Sequence, residues 1–205
     1  NKIRGKIVSN NDNILMVGLD LPRYTLGAQT GPIGSLLLED YDQKISFIDK
    51  LSKDVREKFF VRPFKNGWWQ IDQRLRDNYS DKIISPNDRI IDDFRNSKLI
   101  ICSYPQTTFS EAMNSEIPTI LLYSSIYWEF PTLFDELVER LKSAKILFSS
   151  ADEAANHVNE IQAAPLNWWS KPEVVQAREL FLDLCGRSDE KSMQLWSQFI
   201  KDLID

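Results

Sequence analysis

Two adjacent hydroxyls with a carboxylate three residues further on, Thr107-Thr108 and Glu111, form the part of this chain best suited to chemistry. They lie in KLIICSYPQTTFSEAMNSEIPTILLY, residues 98–123. That stretch reads as a buried strand over Leu99–Cys102, a polar turn, a short helix opened by Thr107-Thr108, and a second buried strand over Thr119–Tyr123. A helix start presents unpaired backbone N–H groups and the positive end of a dipole, which attract phosphate, while a nearby carboxylate accepts from sugar hydroxyls. The same residues also spell a capping box, with Thr108 accepting from the Glu111 N–H and Glu111 reaching back. Both readings use helix-start chemistry, and they can coexist.

Two arginines stand at comparable junctions. Arg23, with Tyr24, follows the strand Ile14–Leu19 in the Gly- and Pro-rich loop DLPRYTLGAQTGPIGS, and long loops in compact domains tend to be functional or disordered. Arg62 closes the strand FFVRPF at 59–64, where Pro63 marks the exit because it has no N–H for a ladder. An arginine there either pairs with a nearby carboxylate or aims its planar fork at an anion. Trp68-Trp69 could stack on a base or sugar, or pack a helix onto the core.

Composition narrows the classes. A net charge of −5 and a pI near 5.1 argue against a general nucleic-acid binder but not against a local phosphate site. No apolar run reaches the roughly 20 residues that span a bilayer. The opening residues NKIRGKIVSNNDN lack the apolar core of a secretory signal, which makes the cytoplasm the expected compartment. The single histidine, His157, falls on a helix with Ala154, Ala155, Val158 and Ile161, a structural or surface position that leaves no histidine-based triad. Cys102 and Cys185 lack metal-ligand spacing, and neither a P-loop nor GxGxxG is present.

The elements that must hold these groups alternate. Helices are expected over about 41–58, in 66–79 after an opening turn, and over 87–96, 131–143, 152–162, 172–185 and 190–203, with short strands at 82–84 and 146–148. Alternation of strand and helix argues for an α/β fold with a mainly parallel sheet flanked by helices, Rossmann-like, in one domain over residues 1–205. Helices from about 151 onward would close over it.

Laid end to end, VGLDLPRYT at 17–25, FFVRPF at 59–64 with Gly67-Trp68, the 98–123 stretch, Trp128-Glu129, ADEAANHVNEI at 151–161 and WWSKPEVVQARELF at 168–181 resemble a family of surface-polysaccharide (O-antigen-type) transferases. The similarity extends to the carboxy-terminal, donor-binding half of GT-B glycosyltransferases. The resemblance implies a nucleotide-sugar-binding domain of a metal-independent glycosyltransferase. Its acceptor, a glycan or lipid-linked glycan, would be held by a separate amino-terminal half. Arg23 and Arg62 would hold phosphate with Thr107, Thr108 and the following amides, Glu111 would take the ribose, and Trp128-Glu129 would line the donor sugar. No catalytic residue, metal or cofactor is implied. The tract after the VRP strand is short, Lys65-Asn66-Gly67, and Gln106 stands where the family often has Asn. Trp168, Trp169, Gln176 and Arg178 read as packing and ion-pair positions. Two other classes remain beside this one: an epimerase-like enzyme using Glu111 or Glu129 as base, and a non-catalytic interaction domain.

Overall fold

Five strands, each paired in parallel with its neighbours, make up the sheet of the computed structural model, which describes residues 7, 12–18, 34–64, 67–126, 128–186 and 191–203. They are β1 (Asn13–Val17), β2 (Phe59–Arg62), β3 (Ser97–Cys102), β4 (Thr119–Leu122) and β5 (Leu147–Phe148), in the spatial order β2-β1-β3-β4-β5. Ile14, Leu99, Ile100, Ile101 and Ile120 are wholly buried, as strands covered on both faces require. The register aligns Arg62, Val17, Cys102, Leu121 and Leu147 in one row near the carboxyl ends.

The chain leaves β1 toward β2 and later leaves β3 toward β4, in opposite directions across the sheet. Right-handed crossovers therefore put the intervening helices on opposite faces. On one face α1 (Ser35–Lys50) packs against α7 (Ala151–Ile161). On the other, α5 (Thr107–Asn114) and α6 (Asp135–Ser143) both pack against α9 (Pro172–Cys185). Short helices α2 (Lys53–Arg56), α3 (Ile71–Tyr79), α4 (Ile90–Arg95) and α8 (Pro165–Trp169) fill the connections, and α10 (Ser192–Asp202) follows α9.

Several boundaries differ from the sequence expectation. The helix expected over 41–58 begins at Ser35 and breaks at Leu51, whose backbone is extended. Asn159 on α7 makes the break: its Nδ2 donates to the Lys50 carbonyl (3.0 Å) and its Oδ1 accepts from the Ser52 N–H (2.8 Å). The strand expected at 82–84 is a 3-10 turn, Asp81–Ile83, followed by a lone bridge from Ile84 to Val61. Gly67, Trp68 and Trp69 form the turn expected ahead of α3, and α8 was not foreseen. Both α5 and α6 are followed by a left-handed non-glycine residue, Glu116 (φ 61°) and Lys145 (φ 57°), which turns the chain into the next strand.

His157 is structural. Its ring is 4% exposed, lies 5.0 Å from Trp168 and 5.5 Å from Phe148, and neither nitrogen has a hydrogen-bond partner among the described residues. Burial pushes its pKa down to about 4, with Lys145 adding to the shift and Glu160 opposing it. The unfolded chain takes up this proton near pH 6.5 and the folded chain resists it. The resulting stability is complete above pH 6.5 and is lost as pH falls toward 4. Urea unfolding is expected to show about 2.5 kcal/mol more loss between pH 7.5 and 4.5 in the native chain than in His157→Phe. Parallel pH profiles for the two proteins would refute the assignment.

Candidate functional site

The strand order reverses between β1 and β3, and in open parallel sheets the crevice beyond the carboxyl ends at such a point is where ligands bind. The turn 103–106 leading into α5 forms one wall of this crevice. The floor is closed by Val17, whose carbonyl accepts from both the Ser103 N–H (3.2 Å) and the Ser103 hydroxyl (2.9 Å). Ser103 is buried, so this bond spends a polar side chain on fixing the turn.

Thr107 and Thr108 are the first two residues of α5, after Gln106 as N-cap, and the helix start has no side-chain cap. The capping box expected between Thr108 and Glu111 does not form. The helix begins two residues too early for it, which puts Thr108 inside the first turn. The Thr108 hydroxyl instead shares a hydrogen bond with the Tyr104 phenol at 2.8 Å. The Phe109 and Ser110 N–H groups turn back to the Gln106 carbonyl, at 2.9 and 3.3 Å. The amides of Thr107 and Thr108 precede any intrahelical acceptor. Glu111 lies four residues from Thr107 and three from Thr108, so all three share one side of the helix. The opposite side buries Phe109, Ala112 and Met113, and Phe109 meets Phe181 of α9 edge-on at 4.9 Å. Thr107 is exposed, while Thr108 and Glu111 are half-buried.

Arg62 reaches the same edge from β2, with β1 between it and β3. Its guanidinium is already engaged. One nitrogen donates to the Asp93 carboxylate and the Asn87 carbonyl (3.0 Å), and the other to the Asp88 carbonyl (2.7 Å). Asp93 is buried and also accepts from the Ser85 hydroxyl and from Asn87 Nδ2 at 2.8 Å. Of the two roles open to this arginine, the carboxylate pair is the one formed, and it ties β2 to the start of α4. Arg23 and Tyr24 lie outside the described residues.

Beyond β4, Trp128 is buried, and its indole N–H has no acceptor among the described residues; Glu129 beside it is exposed. Trp128 thus packs into the core instead of forming an open wall. Trp168 and Trp169 are packing residues, with indole N–H groups donating to the carbonyls of Ala144 (3.1 Å) and Glu116 (2.9 Å). Arg178 stacks on Trp169 where an ion pair was expected. Cys102 is fully buried, and burial pushes its thiol far above the usual range, which removes it as a nucleophile. No cluster of three or more metal-ligating side chains occurs among the described residues. Sequence reasoning missed Ser103 and Tyr104; the four-residue step from Tyr104 to Thr108 was the available signal.

Breaking the Arg62–Asp93 pair leaves a buried carboxylate without its cation. Arg62→Ala is expected to cost about 3 kcal/mol in urea unfolding, with part of that recovered in the double variant Arg62→Ala, Asp93→Ala. A cost below about 1 kcal/mol would show that the pair does not hold α4 to the sheet.

The model of a protein family, described as LIC12162 family transferase, matches residues 1–200. A comparison with curated proteins finds no match. Among solved structures, the wall teichoic acid polymerase TagF, as an engineered variant, aligns with a TM-score of 0.46 and 13% identity. The alignment covers 96% of this chain and 44% of that one, so the chain spans less than half the length of that polymerase.

Proposed function

The chain belongs to the LIC12162 family of transferases, and we propose on that footing that it is the donor-binding domain of a glycosyltransferase of surface-polysaccharide assembly, O-antigen-type polymers included. The observation that carries this reading is the uncapped start of α5 at the strand-order reversal, with Thr107, Thr108 and Glu111 on one side of it. The amides of Thr107 and Thr108 and the Thr107 hydroxyl would donate to the donor's phosphate oxygens, where the helix dipole favours negative charge. Glu111 would accept from the ribose hydroxyls. Glu129, exposed after β4, would meet the sugar, with Trp128 behind it as support. As the glycosidic bond breaks, negative charge grows on the leaving phosphate, and donors fixed in place beforehand stabilise it without reorganisation.

Arg62 enters this proposal in a changed role: through Asp93 it sets the loop beside the crevice, and Arg23 is left to supply the cationic contact. Exposed apolar side chains on segments leaving the carboxyl edge, Phe64, Trp68 and Ile126, support a facing domain there that would bring the glycan or lipid-linked acceptor.

A thermal-shift screen against UDP-, GDP-, CMP- and dTDP-sugars tests the reading. One nucleotide class at tenfold over its Kd should raise Tm by roughly 3–6 °C. The shift should vanish in Glu111→Gln and weaken in Thr107→Val, each measured against that variant's own unliganded Tm. A shift of the same size in both variants would remove α5 from the site, and no shift from any class would sink the donor-domain reading for this chain.

A further inference from the structure

A cavity of about 730 Å³ opens at the other edge of the sheet, beside the amino-terminal ends of β3 and β4. Its walls are apolar: Ile117 and Pro118 ahead of β4, Pro165 and Leu166 on α8, Trp169, and Val175 on α9. Three charged residues also line it: Lys98, Glu116 and Arg178. The Lys98 ammonium is held by Asp12. Arg178 is differently placed. Its guanidinium carbon lies 4.7 Å from the centroid of the Trp169 ring, and that ring is pinned by its bond to the Glu116 carbonyl. Its Nε is buried with no hydrogen-bond partner among the described residues. The carboxylates that act on it, Glu116 and Glu179, do so through the Coulomb field.

A buried guanidinium N–H without an acceptor is costly, and native structures nearly always supply one. Arginine does not shed its proton, so neutralisation offers no relief. Nε itself is covered by neighbouring atoms, so an anionic oxygen entering the cavity that Arg178 lines would meet the terminal nitrogens of the guanidinium. The space beside it has the volume and the mainly apolar lining of a small-molecule site, with a few polar groups to set orientation. At the rim Leu166 is 61% exposed, apolar surface that a bound ring system would cover.

We propose that this cavity binds a small organic anion. Its apolar ring system lies against Ile117, Pro118 and Leu166, and its carboxylate or phosphate accepts from Arg178 while the guanidinium stays stacked on Trp169. The site is at the opposite edge of the sheet from α5's start. Its occupant is therefore a second ligand rather than the sugar donor, and both can be held at once.

The test uses the whole chain and three probes of one shape: 2-naphthoate, 2-naphthyl phosphate and neutral 2-naphthol. Binding is followed through the Trp169 indole N–H resonance in ¹H–¹⁵N spectra. At least one of the acids should give a saturable shift, with 2-naphthol at least tenfold weaker. The tighter of the two acids names the head group. Arg178→Gln should weaken the acid at least tenfold. Leu166→Glu, at an exposed position that leaves the fold undisturbed, should weaken it severalfold by placing a like charge at the rim, and it decides the matter if Arg178→Gln does not fold. Absence of a saturable shift, equal affinity for acid and alcohol, or variants that bind as the native chain does would each overturn the proposal. The readout at Trp169 is separate from any nucleotide response at α5, so the two readings fail independently.

Discussion

The arrangement depends on the pairing of β1 with β3 and on what happens one residue past its end. These strands carry the strand-order reversal, so the chain diverges there, and a divergence at a sheet edge must be held or it opens. The hold is the Val17 carbonyl, which accepts twice from Ser103. With Ser103 fixed, the 103–106 turn is short and buried at its base, Tyr104 is set to meet Thr108, and α5 starts directly over the crevice. A carbonyl taking both donors of one buried serine leaves little slack, and this is what makes the helix start a defined place instead of a frayed end.

The rest of the molecule supports that geometry from both faces. Behind α5, the Phe109–Phe181 contact and the Asn114 bonds to the Ser110 and Gly186 carbonyls set its tilt against α9. Across the sheet, α1 and α7 are joined by Asn159, by the Lys50–Asp152 ion pair and by Gln43 donating to the Ser149 carbonyl. Arg62 and Asp93 do the same work for β2 and α4. The joins between different elements link residues far apart in sequence, so the helices are braced by contacts made only after the sheet exists.

Much of this was legible beforehand. Apolar runs such as Leu99–Cys102 and Thr119–Leu122 announce doubly covered parallel strands, because a strand buried on both faces has no polar alternation to show. Pro172 and the apolar spacing behind it place α9 correctly. The candidate site was legible as a cluster, since hydroxyls at a helix start after a buried strand carry their own physical meaning. Its internal bonds were not. Thr108 has two equivalent partners on paper, Glu111 behind a cap or a hydroxyl before the helix, and the choice turns on a two-residue shift in where the helix begins. The Arg62 side chain had a carboxylate or an anion to choose from, and Asp93 lies 31 residues away.

By itself the sequence determined what each segment wants locally: which stretches must be buried, where helices can begin, and that one junction gathers groups able to meet phosphate and sugar. Burial and propensity are short-range properties, and they are written in neighbouring residues. Only the tertiary structure decided the strand order, the end of α1 at Asn159, the pairing of Arg62 and the cavity beside Arg178. Those outcomes depend on which distant group arrives first within hydrogen-bond reach, and a guanidinium or an amide specifies its geometry without specifying its partner.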